Sequence, residues 1–110
     1  MATPEQFFDI DMRVGTVRRA EPFPEARKPS IKLWIDFGPE LGELRSSAQL
    51  THRYTPESLV GRQVIAAVNL GERRIAGFAS QCLVLGAMPA EHDVILLAPD
   101  GAVPDGTRIG

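Results

Sequence analysis

A single cysteine, Cys82, leaves no partner for an internal disulfide, and with only two histidines, His52 and His92, the chain has too few soft ligands for a structural zinc site. No two glycines stand two residues apart, which removes the dinucleotide-binding fingerprint. A phosphate-cradling GxxxxGK[ST] loop, an HExxH helix and a GxSxG nucleophile turn are missing as well. Asp9 and Asp11 flank Ile10 at a strand entry, where solvated or capping carboxylates are the simpler reading than a catalytic pair. The expectation is a protein without catalysis, metal or cofactor. No run approaches the roughly 18 to 20 apolar residues that span a bilayer, so no membrane insertion is expected. The opening MATPEQFFDID carries acids and a proline where a secretory leader needs basic residues and a longer apolar core, which predicts a cytoplasmic protein.

What the chain does have is the length of one domain, 110 residues, with 44% hydrophobic residues. The net charge of −2 hides a segregation. Residues 13 to 87 hold eleven of the twelve Lys and Arg against seven of the fourteen acids, while the two ends hold one base and seven acids. Such a distribution permits a local anion-binding face on a globally acidic protein.

Periodicity predicts a β-rich chain. Ile31, Leu33, Ile35 and Phe37 alternate with Lys32, Trp34 and Asp36, the clearest period-two run, which puts Trp34 on the polar face. Leu44 to Thr51, Gln63 to Leu70, a stretch near Arg74 to Leu85, and Val94 to Leu97 read as further strands. The apolar alternation Met12, Val14, Val17 slips around Gly15, which predicts a β-bulge there. Thr3-Pro4-Glu5-Gln6 has the form of a capping box, and Thr55 to Gly61 that of one capped helical turn. Two Pro-Asp-Gly turns, at Pro99 and Pro104, fold the last segment back. The sum is a five- or six-stranded meander with one short helix. Cys82, inside the apolar run CLVL, reads as a buried thiol.

Five segments in order, DIDMRVGTVRRAE, PEARKPSIKLWIDFG, SSAQLTHRY, NLGERRIAGFASQCLVLGA and LLAPDGAVPDGTRIG, cover almost the whole chain. Together they resemble the tRNA-binding domain family, and within it most closely the CsaA group of small dimeric, export-related chaperones. The run Ala26-Arg27-Lys28-Pro29-Ser30-Ile31-Lys32 departs from the Ala-Asp-Lys-Leu type of the common tRNA binders and matches that group. The resemblance implies an all-β OB-fold barrel with a core over about 12–97. It also implies a homodimer, using terminal extensions 1–11 and 98–110. Phe7, Phe8 and Ile10 at one end and Val103 and Ile109 at the other are too few for a core of their own, which suits a dimer interface.

The candidate binding residues fall into two sets. Trp34 and Phe78, with the neutral polar Ser46, Ser47 and Gln49, would hold apolar side chains and backbone of an unfolded polypeptide or preprotein. Arg27, Lys28, Lys32, Arg53, Arg73 and Arg74 would meet phosphates, and Ser80 aligns by resemblance with a family position used in tRNA contact. Strands two and three of OB-type barrels, with their flanking loops, are where ligands lie. The leading expectation is an export-related chaperone, with the export motor as a possible further partner. The alternatives are a structure-specific tRNA binder and an inert module for another protein. The acidic pI of about 5.6 favours polypeptide over RNA.

Overall fold

The computed structural model describes residues 1–110. Its frame is a five-stranded antiparallel sheet curled into a nearly closed barrel. The strands are β1 (Met12–Pro22), β2 (Ile31–Asp36), β3 (Glu43–Ala48), β4 (Gln63–Ala67) and β7 (Leu83–Val84), in the order β3-β2-β1-β4-β7. Two hairpins are attached, β5 (Arg73–Ile75) with β6 (Phe78–Ser80), and β8 (Gly86–Ala90) with β9 (Asp93–Leu96). Three short helices, α1 (Pro4–Phe8), α2 (Gly38–Leu41) and α3 (Pro56–Leu59), fill the connections. This is the OB-like barrel that the sequence predicts, with α2 and β8 additional to the expected elements. No helix is long and apolar enough to cross a membrane.

The period-two run of β2 does what its pattern requires. Ile31, Leu33 and Ile35 are buried with Phe37, Val17, Leu50, Leu59 and Val64 in one apolar core, while Lys32, Trp34 and Asp36 face outward. The predicted capping box at Thr3 forms, and the capped turn predicted at Thr55 proves to be a second one. The Thr3 and Thr55 side chains accept from the backbone of Gln6 and Ser58, whose side chains accept in return from the cap residues' own N–H groups.

The β1 irregularity lies between Val17 and Arg19, not at Gly15. Gly15 stays in register opposite Val64, and its missing side chain has another cause. A Cβ there would lie 2.7 Å from side-chain atoms of both Ile35 and Phe37, so the glycine lets the β2 side chains pack flat on β1. The slip in alternation arises because both faces of Val14 to Val17 are covered. Thr16 donates its hydroxyl to Asp105 at 2.5 Å.

That cover is the C-terminal segment, which lies along the half of β1 that β2 leaves free. Val14 N–H donates to Thr107 O, Val14 O accepts from Gly106 N–H, and Ile109 N–H donates to Met12 O. Arg13 pins the join. Its guanidinium donates to both carboxylate oxygens of Asp11 and to the Gly106 carbonyl, and the Asp11 bonds hold its pKa above the ordinary range. At the other end β4 stops at Ala67, short of the predicted Leu70, because Asn69 turns aside. Its side chain accepts from Asp11 N–H and donates to Asp9 O, each at 2.8 Å. The long strand expected near Arg74 to Leu85 is likewise broken, into β5, β6 and β7.

Candidate binding groove

The polar face of β2 is built into a stack of rings and cations. Trp34 lies between Arg19 on β1 and Arg45 on β3 in register. The Arg19 guanidinium sits 4.2 Å from the Trp34 ring centre. The hairpin β5–β6 bends over this face and inserts Phe78, whose ring packs edge-on against Trp34 and Phe23, both at 5.6 Å. Lys32 lies over Phe23 at 4.7 Å and over Phe78 at 5.3 Å, and Arg45 over Phe78 at 5.6 Å. Cations over ring faces attract by the ring quadrupole, about 0.5 to 2 kcal/mol each depending on desolvation. The stack therefore holds the hairpin down.

The hairpin is also stitched to β3 by hydrogen bonds. Ser47 N–H donates to Ser80 Oγ at 3.0 Å, Arg45 N–H to the Gln81 side chain at 3.0 Å, and Gln81 N–H to Arg45 O at 2.7 Å. Ser46 points inward, and its buried hydroxyl donates to Cys82 O at 2.9 Å. Cys82 is buried beside it, and burial pushes the thiol pKa up from 9.0 to about 12, so it is neutral and unreactive at physiological pH.

A groove of about 1280 Å³ opens between this fixed hairpin, the β1–β2 loop and the β8–β9 hairpin. Of the expected residues it gathers Arg27, Lys28, Ser47, Gln49, Arg73 and Arg74. Ten of its lining residues are hydrophobic, among them Ile75, Leu83 and Met88, so a cationic rim meets an apolar wall. Leu83 and Met88 are largely exposed. Trp34, Lys32, Phe78, Ser46 and Ser80 lie outside the groove, in the stack and stitching just described. Arg53 is engaged elsewhere, its fork donating to both carboxylate oxygens of Asp93 on β9. These bonds hold the Arg53 pKa above, and the Asp93 pKa below, their ordinary values.

Four residues of this region escape the sequence reading. Arg19, Phe23 and Arg45 join Trp34 only through cross-strand register, and the bulge after Val17 shifts Arg19 opposite Trp34, which no one-strand pattern reveals. Met88 sits on a strand of small residues interrupted by Pro89, too weak a pattern to be recognised, although an exposed methionine beside basic residues is itself a signal for an adaptable binding surface.

At the chain ends, Phe7, Phe8 and Ile10 are 45%, 50% and 41% exposed, with the two phenylalanine rings edge to face at 5.1 Å. Gly110 lies against them, since a Cβ on it would be 4.0 Å from the Phe8 ring. Val103 and Ile109 are half-buried against the barrel, and Val103 exchanges backbone bonds with the Gln63 amide.

Residues 12–108 match the family model described as "Putative tRNA binding domain". The whole chain superposes on the crystal structure of chaperone CsaA from Bacillus anthracis str. Ames with a TM-score of 0.95 and 54% sequence identity, covering 99% of that chain. A second CsaA chaperone protein, from Picrophilus torridus, gives a TM-score of 0.91 and 43% identity over the full length of both chains. The methionine–tRNA ligase of Bacillus subtilis (strain 168) is 36% identical over 107 residues, which is 97% of this chain but 16% of the ligase. The chain thus spans only a small part of the curated ligases it matches.

Proposed function

Because the chain belongs to the tRNA-binding domain family and is similar over its whole length to proteins named as CsaA chaperones, we propose that it is a non-catalytic, homodimeric chaperone. It holds unfolded or preprotein segments, with export as the setting and the export motor as a further partner. The groove carries this reading. A binder of phosphate chains needs cations but gains little from an aliphatic wall, whereas an extended polypeptide presents apolar side chains on one face and backbone dipoles along its length. Ile75, Leu83 and Met88 meet the first need, and Ser47, Gln49 and the arginines meet the second. Methionine suits varied clients because its unbranched thioether adapts to many shapes. The exposed Phe7, Phe8 and Ile10, next to the C-terminal residues, supply an apolar patch for a second copy.

A titration with a denatured polypeptide and with tRNA, at about 0.1 M and about 1 M salt, tests the proposal. Counterion release weakens RNA binding steeply over that range, while apolar contact persists. We expect client binding to survive high salt and to fall in Leu83→Ser and Met88→Ser proteins. Loss of all client binding at high salt would overturn the reading. The second reading, a tRNA binder, is favoured by the gathering of Arg27, Lys28, Arg73 and Arg74 on one groove. It predicts strong, salt-sensitive tRNA binding that these four arginine and lysine side chains control and that the two serine variants leave intact.

A further inference from the structure

Beside the groove, a smaller cleft of about 440 Å³ has no hydrophobic residue in its wall. It is formed by Arg27 and Lys28 of the β1–β2 loop, Gln49, Thr51 and His52 after β3, and His92 at the tip of β8–β9. All four ionisable groups in this wall are basic, and no carboxylate lines it. An arginine fork, an ammonium, two imidazoles, an amide and a hydroxyl make a donor set that matches the three oxygens of a terminal phosphate.

The turn at the tip fixes where one of these imidazoles stands. Ala90 pairs with Asp93, so Glu91 and His92 make the turn, and His92 holds φ 64. Glycine adopts this left-handed conformation without steric cost, and histidine is one of the few other residues enriched in it. The imidazole it places is one of the cleft's walls.

We propose that this cleft binds a phosphate monoester, taking the terminal phosphate of a mononucleotide-sized ligand, and does so more tightly as the pH falls from 8 to 6. Imidazole is the side chain that gains charge in this interval, so protonation adds attraction on top of the permanent charge of Arg27 and Lys28. The charged neighbours of the two rings are few. His52 Nε2 lies 4.0 Å from Asp93 and His92 Nε2 3.5 Å from Glu91. Arg53 is already paired with Asp93, and Arg27 and Lys28 share the cleft. A bound dianion attracts a charged imidazole, which is how ligand and proton uptake become coupled. Pro29 completes the wall, and the other six residues all offer hydrogen-bond donors, so a phosphate ligand goes beyond the polypeptide-binding role of the adjoining groove.

Calorimetric titration of the intact protein with a nucleoside 5′-monophosphate, the matching nucleoside and inorganic phosphate, at pH 6 and pH 8, tests this. The monophosphate should bind about tenfold more tightly at pH 6, one tenfold step for each unit by which binding raises an imidazole pKa, and the nucleoside should not bind. If inorganic phosphate equals the monophosphate, the cleft reads the phosphate alone, and a tighter monophosphate shows that the body is also held. His52→Gln with His92→Gly should abolish the pH dependence while leaving the thermal unfolding temperature unchanged, since glycine fits the turn and His52 is exposed. Arg27→Gln with Lys28→Gln should remove binding at both pH values. Binding of the nucleoside as tight as that of its monophosphate, or a pH 6 affinity untouched by the double histidine replacement, overturns the site.

Discussion

The two hairpins that flank the groove are close in size and opposite in how they are held. β5–β6 turns through Ala76 and Gly77, both at positive φ, as a two-residue hairpin turn does. Its Phe78 is locked into the ring-and-cation stack, and its Ser80 and the next residue, Gln81, are bonded to β3. β8–β9 buries less. Leu96 N–H donates to the Tyr54 hydroxyl, Leu97 N–H to Leu85 O, and the Arg53–Asp93 pair ties its tip, while Met88 and Ile95 face solvent. One wall of the groove is fixed and the other is lightly tethered. A site of that kind keeps its register on one side and adapts its width on the other, which suits clients of varied sequence.

Removing the lock should erase this difference. Phe78→Ala deletes a buried ring and its contacts with Phe23, Trp34, Lys32 and Arg45, so we expect a loss of about 3 kcal/mol in urea unfolding. Amide exchange at Arg73 to Ser80 should then rise to the rate seen in β8–β9. Ser46→Ala is expected to cost about 1 to 2 kcal/mol, because it leaves the buried Cys82 carbonyl without its donor, and the same denaturation measurement reads it. The tethered wall responds to acid. The Asp93 carboxylate is held below its ordinary 3.8 by Arg53, so the pair is intact above that pH and is lost as pH falls through the depressed value. Exchange corrected for intrinsic rate should therefore quicken at residues 88–96 as the pH falls below 3.8 while β5–β6 stays protected, and Asp93→Asn should show the quickened pattern at neutral pH. The smallest effect belongs to Ala76→Asn, a residue better suited to the first position of this turn, with an expected gain of about 0.5 kcal/mol in thermal unfolding. A loss there would show the turn to be of another type.

The barrel was largely legible in the sequence because its signals are local. The alternation in Ile31 to Phe37, the two helix caps and the Pro104 turn each depend on a few neighbouring residues, and each forms. The site was legible in part. Arg27, Lys28, Arg73 and Arg74 could be singled out as cations on loops, but their meeting across one groove depends on the closure of the barrel. Ser46 and Ser47 show the limit most clearly. Neighbours with the same side chain, one points into the core and the other outward, and only the pairing of Leu33 with Ser46 decides which. The displaced bulge has the same origin: a slip in alternation is equally well explained by a kink or by a strand covered on both faces, and the cover lies some ninety residues away, as the 93-residue span from Arg13 to Gly106 records.

That span also sets an order of events during synthesis. β1 leaves the ribosome before every strand it pairs with, yet half of one edge is completed only when Thr107 and Ile109 arrive to accept from and donate to Val14 and Met12. Contacts of such separation form late, because a long loop must be closed before they return any energy. Until then the growing chain carries an open strand edge with the fork of Arg13 short of its Gly106 partner, a stage at which it is itself prone to wrong pairing. A protein we assign to the shielding of unfinished chains thus passes through the very condition it guards against, and a stalled or truncated product lacking residues 106–110 is its most aggregation-prone form.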